Sequence, residues 1–130
     1  MAIRIVRLGT PRARGEGLRL GTVRRPPRGV PKSDFAKKDY YDVWVPELAP
    51  SAELVSWAFS EPFTPSRWNT FRRKYHGEMR APAAARLLTL LAAMSKETNF
   101  SVGCYCEDAS RCHRSLLREL LAGHGAVLAE

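Results

Sequence analysis

The sequence predicts an α/β fold: a small, mostly parallel sheet in three layers, with helices on both faces. Three observations carry this expectation. Short strand-like runs alternate with segments of helical periodicity, and such alternation builds parallel sheets. The run Phe100-Ser101-Val102-Gly103-Cys104-Tyr105-Cys106 is apolar almost without interruption, as befits a central strand buried on both faces. The 130 residues, 45% hydrophobic and 26% charged, suit one globular domain over 1–130 with a single core.

The first strand is expected at Ile3-Arg4-Ile5-Val6-Arg7-Leu8, which is short and β-branched. Residues 9–31 are rich in Gly, Pro and Arg, a composition that marks loops around at most one short strand, Leu18 to Val23. A third strand is expected over Tyr40-Tyr41-Asp42-Val43-Trp44-Val45, stopped by Pro46. Three helices then follow. Ser51 caps the first, which carries Leu54, Val55, Ala58 and Phe59. Thr64-Pro65 starts the second, with Trp68, Phe71, Tyr75 and Met79 as its apolar stripe. Pro82 starts the third, which is apolar most of the way round and is expected to be deeply buried. The fourth strand leads straight into a last helix from about Arg111 to Ala122, with Leu116, Leu117, Leu120 and Leu121 inward and Gly123 ending it. Ala126-Val127-Leu128 adds a final short strand. Trp44, Trp57 and Trp68 each lie in an apolar pattern and read as core residues.

Charge and cysteine usage narrow the function classes. No window approaches 18 consecutive apolar residues, and the first residues are too broken by charge for a signal peptide, so a cytoplasmic protein without a membrane span is expected. The net charge is +8, and residues 1–38 alone hold eleven Arg or Lys against Glu16 and Asp34. A basic first third on a neutral body suggests an anionic partner. Cys104, Cys106 and Cys112 form an odd cluster, which is a poor disulfide framework. No cofactor motif is present, and no cofactor is expected.

In parallel sheets, ligands sit beyond the carboxyl ends of strands. The turn from Cys104 to Arg114 is therefore the expected site. A helix start offers unpaired backbone N–H groups and a partial positive charge, which favour an anion. Arg111, His113 and Arg114 crowd the same end, where cations are unfavourable unless something negative fills the site. The ligand-binding candidates are Arg111, Arg114 and Ser110, joined by Arg28 of the Pro-Arg-Gly turn with Arg24 and Arg25 nearby. The catalytic candidates are Cys106 or Cys112 as a nucleophile activated by the helix start, with His113 as proton partner. Rhodanese-like and phosphatase-like loops have a related layout, but they place Arg six positions after the Cys. Six after Cys106 stands Cys112, and the loop holds Glu107 and Asp108 and no Gly. Zinc has four suitable donors in Cys104, Cys106, Cys112 and His113, yet adjacent Cys112 and His113 would diverge by about 100° on a helix. No metal is therefore expected. The conservative reading makes Cys104 and Cys106 small buried hydrophobes and turns His113 toward the core, beside Leu116 and Leu117.

The pattern C-x-C-x(5)-C-H-R-S-L-L after a strand resembles the bacterial domain-of-unknown-function family numbered 488. The stretch Arg24-Arg25-Pro26-Pro27-Arg28-Gly29-Val30, followed by Trp44, Leu48-Ala49-Pro50-Ser51-Ala52-Glu53-Leu54, Trp57, Trp68, Phe71 and Tyr75, is similar to its YeaO-like branch. That branch usually has Leu-Trp before Pro-Arg-Gly, where this chain has Pro26, and it often lacks the cysteines. The resemblance implies a small α/β protein and a site at the last strand-to-helix turn, without implying a reaction. The leading functional expectation is thus a site for a small phosphate-type or carboxylate ligand. The alternatives are nucleic-acid binding through the basic third, with Tyr40 or Tyr41 stacking on bases, a scaffold or interaction module built on the tryptophans and the Pro-rich loop, and thiol or zinc chemistry at the cysteines.

Overall fold

Strand-forming and helix-forming segments settle close to where their punctuation places them. The computed structural model describes residues 1–106 and 111–129. Its sheet has four strands: β1 (Ile3–Arg7), β2 (Leu18–Gly21), β3 (Val43–Trp44) and β4 (Phe100–Cys104). They lie in the order β1-β4-β2-β3, and every pair is parallel. β4 is buried at all five positions, as its apolar run demands. The third strand is shorter than expected because Tyr41 turns inward onto β2, leaving Val43 and Trp44 at an exposed edge. The last apolar run makes one parallel bridge, Leu128 to Ile3.

Four α-helices follow the expected starts: α1 (Ala52–Phe59), α2 (Pro65–Glu78), α3 (Pro82–Met94) and α4 (His113–Gly123). Ser51 Oγ accepts from Leu54 N–H, and Thr64 Oγ1 accepts from Arg67 N–H. Each cap satisfies an N–H that the helix cannot. In α2, Trp68, Phe71 and Tyr75 stack in sequence, with centroids 5.5 and 6.3 Å apart. The outer side of α3 reaches solvent: Leu88, Leu91 and Ala92 are buried, but Leu90 is not, so α3 is buried along one face instead of all round. Of the three tryptophans, Trp57 and Trp68 pack partly against the core. Trp44 is instead 42% exposed, with its Nε1–H donating to Val23 O at 2.7 Å.

The connections explain what covers each face. Parallel crossovers are almost always right-handed. With this strand order, β1→β2 and β2→β3 both step outward and share one face, while β3→β4 steps back across the other. Side-chain contacts agree. Ile3, Leu20, Phe100 and Val102 form one core with residues of all four α-helices, including Leu54, Phe71, Leu88 and Leu117. The outward connections carry no α-helix, so irregular chain and the one-turn 3-10 helix Lys32–Asp34 cover the second face. Gly21 makes that covering possible, since a Cβ there would stand 2.3 Å from the Tyr41 ring.

A buried ion pair anchors this irregular layer. Arg19 on β2 and Glu16 before it are 1% and 3% exposed, and Arg19 Nε donates to Glu16 Oε2 at 2.8 Å. Glu16 also accepts from Ser101 Oγ on β4 and from Ala13 N–H. Arg19 Nη1 donates to the carbonyls of Thr10 and Asp39, which fastens both outward connections to the sheet. Arg12 adds an outer pair with Asp39 and Asp42. Among the described residues, no helix is long and apolar enough to cross a membrane.

Burial alone would raise the Glu16 pKa, but hydrogen bonds from Arg19, Ser101 and Ala13 outweigh it and hold it down to about 2, against an ordinary 4.5. A carboxyl depressed on folding contributes stability that is full above pH 4.5 and fades as pH falls toward 2. Glu16→Gln should remove that acid-side dependence from urea denaturation curves. At pH 7 it should cost about 3–5 kcal/mol, because Arg19 stays buried without its counter-charge. An unchanged urea midpoint would contradict this account.

Candidate functional site

The carboxyl ends of β2 and β4 lie side by side at the centre of the sheet, where ligands of parallel α/β proteins bind. A cavity of about 760 Å³ opens there. Its walls come from both strand ends and from the α1–α2 region. Val23 to Arg25 continue β2, and Cys104 to Cys106 continue β4. Trp57, Phe59, Phe63, Trp68 and Phe71 supply an aromatic side. Among the described residues, four arginines reach the wall, Arg24, Arg25, Arg67 and Arg111, with the carboxylate of Glu61. Among the described residues the lining is mostly apolar, with more cations than carboxylates.

Two of these arginines lie over aromatic rings. Arg111 stands 4.2 Å from the Phe63 centroid, and Arg67 stands 4.1 Å from that of Trp57. Such stacking fixes a guanidinium while leaving its edge able to donate. Arg67 also donates to Trp57 O and Ser60 Oγ. Arg24 serves the backbone, donating to the carbonyls of Pro46, Ala49 and Pro50, which ties the end of β2 to the approach to α1. Tyr105 donates its hydroxyl to Arg25 O at 2.9 Å and thus links the two strand ends.

The sulfur end of the cavity is built by the turn into α4. The Sγ atoms of Cys104, Cys106 and Cys112 lie within 4.8 Å of one another. Cys104 and Cys112 are buried and their sulfurs are joined, while Cys106 is exposed. The poor disulfide framework expected from the sequence thus contains one sulfur–sulfur pair. Cys112 is not helical: it is the N-cap of α4 in extended conformation, φ −123° and ψ 146°. Its side chain therefore points back to the strand, and the expected divergence from His113 does not arise.

His113 is 9% exposed and packs edge-on against Tyr75, with centroids 5.7 Å apart. Its Nε2 lies 2.6 Å from Thr22 O. A carbonyl can only accept, so Nε2 carries the hydrogen and Nδ1 of the neutral ring presents a lone pair. That Nδ1 faces Cys112 Sγ at 3.8 Å. Burial lowers the His113 pKa to about 4, with Arg114 adding to the effect and the Thr22 bond opposing it. The ring is neutral at pH 7.

A family model described as the active DUF488-N3 subclade, DUF488-N3a, matches residues 3–125. The chain belongs to the DUF488-N3a family. The resemblance to family 488 drawn from the Cys-His-Arg-Ser run holds at family level, and the match names the N3 subclade, not a YeaO-like branch. No curated protein and no solved structure matches.

In this DUF488-N3a protein the cavity brings together Cys106, His113, Arg111, Arg24 and Arg25 from the sequence expectation. Cys112 touches it only through its neighbours, buried behind His113. Arg114 is 6% exposed, and Arg28 is exposed and is not among the residues that line the cavity. Ser110, like Glu107 and Asp108, lies outside the described residues. Sequence reasoning missed the aromatic wall and Thr22. One signal was legible: five aromatics within residues 57–71 are more than the buried faces of two short helix turns need.

The His113 geometry predicts its titration. Ring signals of His113 in nuclear magnetic resonance spectra should keep the neutral, Nε2-protonated form from pH 8 down to about pH 5. A histidine depressed on folding costs stability as pH falls below its ordinary 6.5, since protonation then favours the unfolded chain. Titration of His113 near pH 6.5 would contradict this.

Proposed function

We propose that this DUF488-N3a protein binds a small ligand with a flat apolar body and a negatively charged group, and presents the sulfur-lined end of the cavity to it. The cavity at the carboxyl ends of β2 and β4 carries this reading. Its volume suits one small molecule, and a mostly apolar wall with few polar groups is the usual character of such sites. The aromatic side would hold a ring by stacking, and the arginine rim would hold an anion. Arg111 is the group to expect on the anion, because it is already stacked on Phe63 at the wall. His113 and Cys106 also line the cavity, where a bound ligand would meet them. A subclade described as active accords with a chemical role.

Nucleic-acid binding through the basic first third has less support. Arg12, Arg19 and Arg24 are engaged within the fold. Tyr41 is 4% exposed and Tyr40 packs against Tyr105, so neither is presented for stacking.

Thermal-shift measurements with aryl phosphates, aromatic carboxylates and mononucleotides test the proposal. A ligand at 100 times its dissociation constant should add about 2.7 kcal/mol, which raises Tm by several degrees. Arg111→Ala should weaken that ligand about tenfold or more without lowering the Tm of the unliganded protein greatly, since Arg111 is exposed. Failure of all three ligand classes, or equal shifts in wild type and Arg111→Ala, would sink it.

A further inference from the structure

We infer that Cys104, Cys106 and Cys112 form a three-thiolate site for a thiophilic divalent ion, with zinc as the ion that fits, whose remaining coordination position opens on the cavity. Three features of the chain converge on this. The first is placement. Cys104 ends β4, and Cys106 follows it after the bend at Tyr105. Cys112 reaches back to them from the extended N-cap of α4, and the three sulfurs fall within 4.8 Å of one another. The second is support. Cys104 and Cys112 are 1% and 2% exposed, so packing fixes two donors, while exposed Cys106 completes the set at the cavity wall. Three protein ligands with one position left for water or substrate is the arrangement of catalytic zinc sites. Thiolates select soft or borderline ions over magnesium and calcium.

The third is charge. Three thiolates around a divalent ion carry a net charge of −1. That charge would sit at the start of α4, where the helix dipole is positive. His113 supports the arrangement from beside Cys112, its ring orientation set by the bond to Thr22 O.

Loading is an acid–base step without electron transfer: three S–H groups lose three protons to solvent as three S–metal bonds form. It requires the thiol form of Cys104 and Cys112, whose sulfurs are joined in the structure. Reaching that form takes two electrons from a thiol- or phosphine-class reductant. The Cα atoms of this pair are 7.7 Å apart, wider than the usual span of about 4.4–6.8 Å for a direct disulfide. A backbone so spaced accommodates an ion between the sulfurs.

The test uses the full chain, reduced with a phosphine and shown by thiol titration to carry its three cysteines as thiols. Zinc should then bind at about one equivalent, as read by elemental analysis after dialysis, and cobalt(II) should give a thiolate charge-transfer band in the near ultraviolet with intense tetrahedral visible bands. Cys106→Ser changes an exposed position, so the fold should persist. It should weaken zinc by about 100-fold or more, given that even supporting partners of a metal site are worth about 10–100-fold. Reduced protein that takes up no stoichiometric zinc and gives no thiolate–cobalt band overturns the site, and so does a Cys106→Ser variant that binds as well as wild type. The ligand proposal fails separately, because its readout is the Arg111-dependent thermal shift in metal-free protein.

Discussion

The buried Glu16–Arg19 pair joins parts of the chain that are far apart in sequence. Glu16 reaches Ser101 on β4, and Arg19 reaches Thr10 and Asp39 in the two outward connections. A guanidinium with five donors in a rigid fork can hold both oxygens of a carboxylate and two carbonyls at once, four bonds where a lysine has three donors. Because those connections contain no α-helix, this charged knot does for the second face what helical packing does for the first. Charges so deep are tolerated because nearly every donor and acceptor is matched. Two central strands, β2 and β4, are thereby fixed against each other at their amino-terminal halves.

The candidate site depends on that registration at the other end of the same strands. Thr22 follows β2 directly and places its carbonyl on His113. Gly103 on β4 opposes Gly21 on β2, and a side chain on Gly103 would strike the Val6 carbonyl at 2.4 Å. Close approach of the strand ends lets one helix start, α4, contact both. Arg111, just before α4, and Arg67, on α2, sit over Phe63 and Trp57 and add positive charge to the wall. The site is thus made of a sulfur end and an aromatic wall carried by the α1–α2 region.

Much of the fold was legible because its signals are local. Ser51, Thr64, Pro65 and Pro82 announce helix starts through capping and fixed φ, and β4 announces burial through its apolar run. What could not be read depends on partners distant in sequence. Glu16 and Arg19 look like members of a basic surface until the carbonyls of Thr10 and Asp39 are brought over them. Tyr41 and Trp44 lie three apart in one apolar run, yet one seals β2 and the other remains at the edge. At the site, the location and the residues Cys106, His113 and Arg111 followed from the strand-to-helix rule. The convergence of the three sulfurs did not, because it turns on one backbone angle: Cys112 is extended, whereas a helical reading splays it from its neighbours.

The strand order has a consequence for how the protein is made. β1 and β2 do not touch each other; each pairs with β4, which is nearly a hundred residues downstream of Ile3 in the register Ile3↔Phe100. Pairings of such long sequence separation form late and slowly. On the ribosome, the first two strands must wait with unsatisfied edges until Phe100–Cys104 emerges to be threaded between them. The nascent chain is then most exposed to misassociation or chaperone capture just before its cysteine-bearing strand appears.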